Sequence, residues 1–219
     1  NTIVFSLPSA WAERVAQDMR ESGLVGNVLD GLPLAIARSI SLAMPNAANP
    51  IAAVDWGYQR ATLCSVKGGR PLFVRSLRDG GFHAITRALC KALSVTPDEA
   101  QKLLHDHGLP NPTQGTATDL QTVIEDVTRE PLDSFIDELN RTADFLKFQR
   151  RSIAPAKIVL LGGGAAVKNI GSFLNEYVDL PVETWTLDSK RAKTSTGRQL
   201  PIELFGPSVA LSSLAWANT

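Results

Sequence analysis

Hydrophobic and polar positions along the chain follow two spacings, which together predict both strands and helices. Apolar residues that recur every three or four positions predict helices at 9–22, 32–44, 82–93, 97–107, 132–147, 170–177 and 208–216. Short apolar runs bounded by turn residues predict strands at 2–5, 25–29, 51–54, 61–66, 71–77, 158–161 and 182–184. The runs at 51–54, 61–66 and 71–77 follow one another closely, so we expect them to form a β-meander.

Proline, glycine and charged residues divide this pattern into segments. The stretch 45–50 reads Pro-Asn-Ala-Ala-Asn-Pro and is the best candidate for a domain boundary. Residues 96–99 match a capping box with Pro97 at the first helical position, which predicts a helix start. Pro131 is expected to break the helical region that begins at Thr118, because proline removes a backbone hydrogen bond. The basic loop at 188–198 is interpreted as solvated surface, or alternatively as a contact to a phosphate or a partner.

The composition narrows the classes of function. Hydrophobic residues make up 44% of the 219 residues, enough for a substantial core, and 22 basic against 22 acidic residues give a net charge of zero. A neutral chain lacks the charge excess that supports binding to nucleic acid or to an anionic membrane surface. No apolar run is long enough to span a bilayer, and the first residues lack the layout of a secretion signal. We therefore expect a soluble intracellular protein with Cys64 and Cys90 buried and reduced, and a missing segment upstream of Asn1.

The first candidate for chemistry lies where the strand at 51–54 ends. Asp55 follows this apolar strand, Gly57 supplies a tight turn, and Thr62 enters the next strand. Backbone N–H groups of a glycine turn can approach phosphate oxygens closely, and a carboxylate at the strand end can hold hydrated Mg²⁺ beside them. The pattern suits a phosphate-bearing ligand, although an ordinary hairpin turn would also use Asp and Gly.

The second candidate is the glycine run that follows the strand at 158–161. Gly162, Gly163 and Gly164 precede Ala165 and a helix, so another molecule could pack directly on the backbone at a helix N-terminus. The run matches neither a dinucleotide-binding fingerprint nor a P-loop, because it lacks the third spaced glycine and the P-loop lysine. A plain connection between strand and helix is the alternative.

The order of these motifs resembles the superfamily of actin, Hsp70 and sugar kinases. An Asp-x-Gly turn, a hairpin, two glycines that begin a helix, a long amphipathic helix and a Leu-x-Gly-Gly-Gly-Ala turn follow one another as in that superfamily. Within it, the segments at 73–81, 138–142 and 158–167 are similar to the PilM family of type IV pilus assembly proteins, which is related to FtsA and to the cytoplasmic domain of GspL. Trp56 is larger than the Ile or Leu that is usual in the first motif.

This resemblance implies an α/β, actin-like (ribonuclease H-like) fold with a mixed sheet flanked by helices and a small peripheral helical subdomain. It divides the chain into a remnant of the first actin-like domain at 1–50, with the N-terminal part of that domain missing, a first part of the second domain at 51–95, the peripheral subdomain at 96–131 and a second part of the second domain at 132–219.

The resemblance also assigns roles to single residues. Asp55 would hold Mg²⁺, and together with Gly57, Tyr58 and Thr62 it would face the phosphates of ATP. Gly162, Gly163, Gly164 and Ala165 would underlie adenosine. Glu138 and Arg141 would reach the ribose or the adenine, although a surface ion pair between them is an equal alternative because they are three positions apart on a helix. No catalytic residue is assigned.

The function that the resemblance implies is that of a cytoplasmic scaffold at the inner membrane. Such a scaffold would bind ATP with Mg²⁺ and a short peptide of a PilN-like inner-membrane protein, with at most weak ATPase activity. Self-association is a further expectation, whereas nucleic acid and direct membrane insertion are not expected. The alternatives are a kinase or filament-forming ATPase of the same superfamily, and the GspL-like cytoplasmic platform of type II secretion.

Overall fold

The computed structural model describes residues 4–77, 80–113, 115–149, 151–187 and 201–214, and its centre is a mixed five-stranded sheet. The strands are β1 (Ile51–Trp56), β2 (Ala61–Lys67), β3 (Arg70–Leu77), β4 (Ile158–Leu161) and β5 (Val182–Thr184), in the order β3-β2-β1-β4-β5. The meander β1-β2-β3 is antiparallel, and β4 and β5 are parallel to β1. The predicted mixed sheet and the predicted meander are confirmed.

Helices pack on both faces of this sheet. The helices are α1 (Ser9–Glu21), α2 (Leu32–Ala43), α3 (His83–Leu93), α4 (Pro97–Asp106), α5 (Asp119–Gln149), α6 (Ile170–Leu174) and α7 (Gly206–Ser212). Helices α2 and α7 lie on one face of the sheet, and α3 and α5 lie on the other. Short 3₁₀ turns lie at Arg151–Ile153, Gly163–Ala166 and Ile202–Phe205. The capping box that starts α4 is confirmed, because Thr96 Oγ1 accepts from the Glu99 N–H and the Glu99 carboxylate accepts from the Thr96 N–H.

Successive side chains along each strand point to opposite faces of the sheet, so the sheet has a separate hydrophobic core on each face. Side chains such as Ala53, Cys64 and Val159 pack with α2 and with Trp185, whose indole N–H donates to Ser39 O at 2.9 Å. Their neighbours Val54, Leu63 and Leu160 face the other side and pack with α3 and α5. Asp55 follows Val54, so it lies on the α2 side of the sheet.

The predicted helix break at Pro131 is wrong, because α5 runs through this residue. Pro131 cannot donate to the carbonyl of Val127, which leaves one helical hydrogen bond unmade. The buried residues Ile124, Leu132 and Phe135 on either side of it belong to one core. Their packing holds the two halves of α5 in line, and this outweighs the local cost of the proline.

Expectations for the N-terminal segment and for Cys90 also need correction. Residues 4–5 and 25–29 are described without strand structure and are mostly exposed, so these apolar runs have no paired strand. Helix α1 is confirmed, but none of its residues is buried. Cys64 is buried, and burial raises the pKa of its thiol to about 12, whereas Cys90 is only half-buried. Residues 2–3, the basic loop 188–198 and the end of the predicted helix at 215–216 lie outside the described residues.

Candidate functional site

The turn between β1 and β2 is held in place by the start of α3. The N–H of Phe82 donates to Gly57 O at 3.1 Å, and the N–H of His83 donates to Tyr58 O at 2.8 Å. These two N–H groups lie at the beginning of a helix and have no partner within it. The carbonyls of Gly57 and Tyr58 therefore cap α3, and the same contacts fix the turn.

The contact between this turn and α3 requires glycine at position 81. A Cβ at Gly81 would lie 2.4 Å from Gln59 O, far inside van der Waals contact. A second backbone restraint comes from Gly57, whose Cβ would lie 2.9 Å from Arg60 O. Gly81 therefore allows the start of α3 to approach the β1–β2 turn with backbone against backbone, whereas Gly57 allows the turn itself to close.

Asp55 combines partial burial with the lack of a polar partner. Its backbone is paired with Thr62 across β1 and β2, but its carboxylate has no hydrogen-bond partner within the described ranges of the chain. Burial raises the pKa of the Asp55 carboxyl above its ordinary value. A half-buried carboxylate without a partner is costly in a folded protein, so residues of this kind are candidates for binding a cation or a ligand.

Replacing Asp55 with asparagine is expected to stabilise the chain at pH 7. Because the folded-state pKa is raised, the stability that this group contributes is present below its ordinary pKa of 3.8 and is lost as pH rises through the raised pKa. Asp55→Asn removes the buried charge, so its melting temperature should exceed that of the wild type at pH 7, and the difference should shrink toward pH 3.5. Thermal melts at both pH values measure this, with the exposed Asp179→Asn as control. A lower melting temperature for Asp55→Asn at pH 7 would contradict the assignment.

The glycine turn after β4 lies directly against Asp55. Gly162 has φ +83°, and a Cβ there would lie 2.5 Å from Asp55 Oδ1. The N–H of Gly162 donates to Glu203 O at 2.9 Å. Leu161 is the neighbour of Asp55 in the parallel β1–β4 pair, which explains why the two motifs meet at the same end of the sheet. The structure thus brings together the two loops that the sequence singled out.

The other two glycines of this run have different surroundings. A Cβ at Gly164 would lie 2.2 Å from Cδ2 of Trp56, whose indole stacks on Phe135 at 3.8 Å between ring centroids. A Cβ at Gly163 would meet its nearest atoms only at 3.9 and 4.0 Å, so its outer side is open. Gly164 is required by internal packing, whereas Gly163 leaves a free backbone surface.

That free surface borders a cavity of 580 Å³, called here the first cavity. One wall comes from Tyr58, Phe82 and the turn around Gly163, and the opposite wall comes from α4. The α4 side chains Gln101, Lys102, Leu104 and His105 line it. The described residues that line it provide a lysine, a histidine and apolar surface but no carboxylate, which favours an anionic ligand with an apolar part.

Backbone hydrogen bonds join the two walls of the first cavity. The N–H of Lys168 donates to Leu104 O at 3.1 Å, and the N–H of Leu109 donates to Lys168 O at 3.1 Å. Lys168 Nζ also donates to Asp106 O, and the Asn169 side chain donates to Leu109 O. The end of α4 is therefore fixed to the segment that follows the glycine turn, and the width of the cavity is set by these bonds.

Glu138 and Arg141 are not among the residues that line the first cavity. Glu138 accepts from Arg75 of β3 at 2.7 Å and lies 3.5 Å from Arg141, while Arg75 also donates to Thr142. These residues lie on the α5 side of the sheet, whereas Asp55 lies on the α2 side. Glu138 and Arg141 thus form an ion pair in this structure. Their contact with a ribose or an adenine stays a prediction.

Two further predicted residues, Thr62 and Ala165, lie near the β1–β2 turn and the glycine turn. Helix α4 adds residues to the site that the sequence did not predict. Thr62 is nearly buried beside Asp55, and Ala165 is buried behind Gly164 without lining the first cavity. Gln101, Lys102 and His105 were not predicted, although the capping box correctly placed their helix. The sequence signal shows where α4 begins, but its position against Gly163 depends on long-range contacts through Lys168.

Two kinds of feature are absent from the described residues. No group of three or more His, Cys, Asp or Glu side chains there could hold a metal ion. No helix within those ranges is long and apolar enough to cross a membrane. A Mg²⁺ ion at Asp55 would therefore take most of its oxygen ligands from water and from the phosphates of a bound ligand, as Mg²⁺ commonly does.

Comparison with known proteins gives structural matches only. No protein-family model matches the chain, and no curated protein sequence matches it. A chain of a PilM-PilN type IV pilus biogenesis complex is similar, with 23% identity over 92% of this chain and 56% of that chain, at a TM-score of 0.70. The ethanolamine utilization protein EutJ from Carboxydothermus hydrogenoformans matches with 16% identity over 92% of this chain and 60% of that chain, at a TM-score of 0.56.

A third solved structure is that of MreB 5 of Spiroplasma citri bound to AMPPNP, with 14% identity over 98% of this chain and 67% of that chain, at a TM-score of 0.58. The chain therefore spans 56% to 67% of the length of these three structures. Identities this low carry information about the fold and not about the function. The five-stranded mixed sheet, the helices on both of its faces and these likenesses together show that the chain has the actin-like fold.

Proposed function

We propose that this chain belongs to an actin-like scaffold that binds a nucleotide with Mg²⁺ between the β1–β2 turn and α4. The observation that carries the proposal is the partly buried Asp55 beside Gly162, next to a cavity lined by Lys102, His105 and the open backbone of Gly163. A nucleotide has the matching chemistry, because its base is apolar and planar while its phosphates are anionic. The likeness in fold to an MreB solved with AMPPNP supports the same ligand class.

The proposed roles follow from the position of each residue. Asp55 would bind a water molecule of hydrated Mg²⁺, and the backbone of Gly57 and Tyr58 would face the phosphates, with Thr62 beside Asp55. The turn at 162–165 would support the adenosine, with Lys102 and His105 on the opposite wall. Glu138 and Arg141 would reach the ribose only if their contacts with Arg75 rearranged, so we place them at the edge of the proposed site.

Binding rather than rapid hydrolysis is the proposed activity. A fast ATPase needs a group that orients or deprotonates the attacking water, and a carboxylate often does this. The Asp55 carboxylate, which lies against Gly162, is assigned to Mg²⁺, and none of the described residues that line the first cavity is a carboxylate that could take this role. We therefore expect slow turnover, as suits a scaffold.

A binding measurement tests the nucleotide proposal. Isothermal titration with AMPPNP is expected to give saturable binding that depends on Mg²⁺, and Asp55→Asn should weaken the Mg²⁺-dependent binding by about tenfold, because a charge-assisted contact is lost. Asp179→Asn, which removes an exposed acid next to the start of β5, is the matched control and should bind as the wild type does. The nucleotide proposal fails if AMPPNP does not bind with Mg²⁺ present.

The proposed partner is a short peptide of a PilN-like inner-membrane protein, which would place the scaffold on the cytoplasmic side of that membrane. The likeness to a chain of a PilM-PilN complex supports this partner. Titration with a fluorescent peptide from the cytoplasmic tail of such a protein is expected to give saturable binding that a scrambled peptide does not give. Binding instead to a partner of the type II secretion platform would favour the GspL-like alternative, and rapid Mg²⁺-dependent turnover would favour a kinase or filament ATPase.

The proposal also includes a division of the chain into domains after residues 50, 95 and 131. It further includes self-association of the scaffold. The first boundary falls in the loop between α2 and β1, and the second falls just before the capping box of α4. The third falls inside α5, so the peripheral subdomain would share one continuous helix with the rest of its domain.

A further inference from the structure

A second cavity of 560 Å³ lies on the other side of Tyr58, next to α3. Tyr58 lines both cavities and separates them. None of the residues discussed as nucleotide contacts lines the second cavity except Tyr58. Its other main lining residues are Gln59, His83, Thr86, Arg87 and Cys90.

The second cavity presents cationic and hydrogen-bonding groups along one face of α3. His83, Arg87 and Cys90 are spaced four and three positions apart, which places them on one side of the helix. Arg87 is exposed and has neither an ion pair nor a hydrogen bond with any of the residues that the structure describes. An arginine without a partner at the wall of a concave site is available to bind an anion in bidentate fashion.

The orientation of His83 leaves one ring nitrogen for a ligand. Its Nδ1 lies 3.0 Å from Tyr58 O, and because a carbonyl oxygen only accepts, Nδ1 must carry the hydrogen. Its Nε2 has no hydrogen-bond partner among the described residues. Nε2 donates when the ring is protonated, and the hydroxyl of Tyr58 and the amide of Gln59 can donate from the wall made by the turn.

Among the residues that the structure describes, no carboxylate lines the second cavity. The acids nearest in sequence are Asp98 and Glu99, which follow the lining residue Pro97. The Glu99 carboxylate accepts hydrogen bonds from both the N–H and the hydroxyl of Thr96, and these bonds lower its pKa. Glu99 is therefore engaged in the cap of α4, and the positive charge of Arg87 stays uncompensated by it.

We infer that the second cavity is a binding site for an oxyanion, a phosphoryl or carboxylate group of a small molecule, held by Arg87 and His83. The oxyanion accepts hydrogen bonds from the guanidinium N–H groups of Arg87 and, when the imidazole carries both protons, from the Nε2–H of His83, with Tyr58 and Gln59 at its side. This site shares the wall at Tyr58 with the proposed nucleotide site but does not depend on nucleotide binding, because Arg87 and His83 line only the second cavity.

The site is tested by NMR titration of the ¹⁵N-labelled chain with inorganic phosphate and, separately, with glutarate. We expect saturable shifts of the His83 and Arg87 signals, while the Gly163 signal in the first cavity stays unchanged. Arg87→Gln should weaken the binding by about tenfold, because a charge-assisted hydrogen bond is lost. Lys91→Gln is the matched control, because it removes an exposed positive charge one turn further along α3 that lines neither cavity, and its affinity should change less than twofold.

Each outcome of this titration decides something. Saturation by phosphate alone identifies a phosphoryl ligand, and saturation by glutarate alone identifies a carboxylate. The inference is overturned if neither anion gives saturable shifts at His83 and Arg87, or if Arg87→Gln and Lys91→Gln weaken binding equally, which indicates only a diffuse electrostatic effect. A failure of AMPPNP to bind would leave these results unaffected, so the two proposals fail independently.

Discussion

Replacing Gly164 with alanine is expected to lower the free energy of unfolding by about 3 kcal/mol, a large effect for the addition of one methyl group. The new Cβ would lie 2.2 Å from Cδ2 and 2.4 Å from Cε3 of Trp56. The indole cannot move away, because it is 1% exposed, stacks on Phe135 and meets the edge of Phe82. Chemical denaturation of the variant and the wild type measures the difference.

The control for this experiment is the neighbouring glycine. A Cβ at Gly163 would have its nearest neighbours at 3.9 and 4.0 Å, which is ordinary contact, and the position does not need a positive φ. Gly163→Ala should therefore stay within about 1 kcal/mol of the wild type. Equal losses in the two variants would show that glycine is needed in this turn for its conformation and not for its packing on Trp56.

Replacing Gly108 with alanine is expected to cost roughly 3 kcal/mol and to separate the two walls of the first cavity. Gly108 has φ +66°, which already disfavours a side chain, and its Cβ would lie 2.1 Å from Lys168 O. That carbonyl accepts from the N–H of Leu109, so the added methyl group would break the contact that fixes the end of α4. The unfolding free energy and the affinity for AMPPNP should both fall.

Gly23→Ala is the control that separates the conformational cost of a positive φ from the steric clash with Lys168. Gly23 has φ +73°, close to that of Gly108, but a Cβ there would meet nothing within 4 Å. Gly23→Ala should therefore show only the conformational cost, about 1 kcal/mol, and no change in ligand binding. A loss at Gly108 no larger than the loss at Gly23 would mean that the contact with Lys168 contributes nothing.

The central part of the fold could be predicted because its sequence signals are local and agree with one another. The apolar runs of β1, β2 and β4 are fully buried, and each is bounded by glycine or by a turn, so the pattern left little choice. The runs at 4–5 and 25–29 have similar composition but no neighbouring strand. An apolar run predicts a strand only when the rest of the protein supplies a partner, and the sequence does not show this.

Long-range packing explains the other differences. The penalty of a proline inside a helix is about 3 kcal/mol, which favours a break at Pro131 when only local terms are considered. Leu132, Phe135 and Leu139 are at most 1% exposed and pack in the same core. The free energy gained from this burial outweighs the penalty of the proline, so the helix continues. The sequence predicts a ligand surface at the glycine run, and that stays a prediction, but Gly164 also serves the packing of Trp56, a contact across more than a hundred positions of sequence that no local motif reveals.

Only one of the two walls of the candidate site could be predicted from the sequence. Asp55 and Gly162 were identified by their place after buried strands, and parallel pairing of β1 and β4 brings such positions together in any sheet. The wall made by Gln101, Lys102 and His105 was missed, because it depends on how α4 docks on Lys168 and not on the residue types of α4.

Helix α5 connects two distant parts of the molecule. Its 31 residues span about 46 Å. Near its start, Gln121 donates to the carbonyls of His107 and Leu109 at the end of α4, and further along, Glu138 is bonded to Arg75 on the edge strand. Between these anchors, Pro131 removes one backbone bond and makes the helix easiest to bend there. A bend at Pro131 would therefore change the angle between the contact of α5 with α4 and its contact with β3.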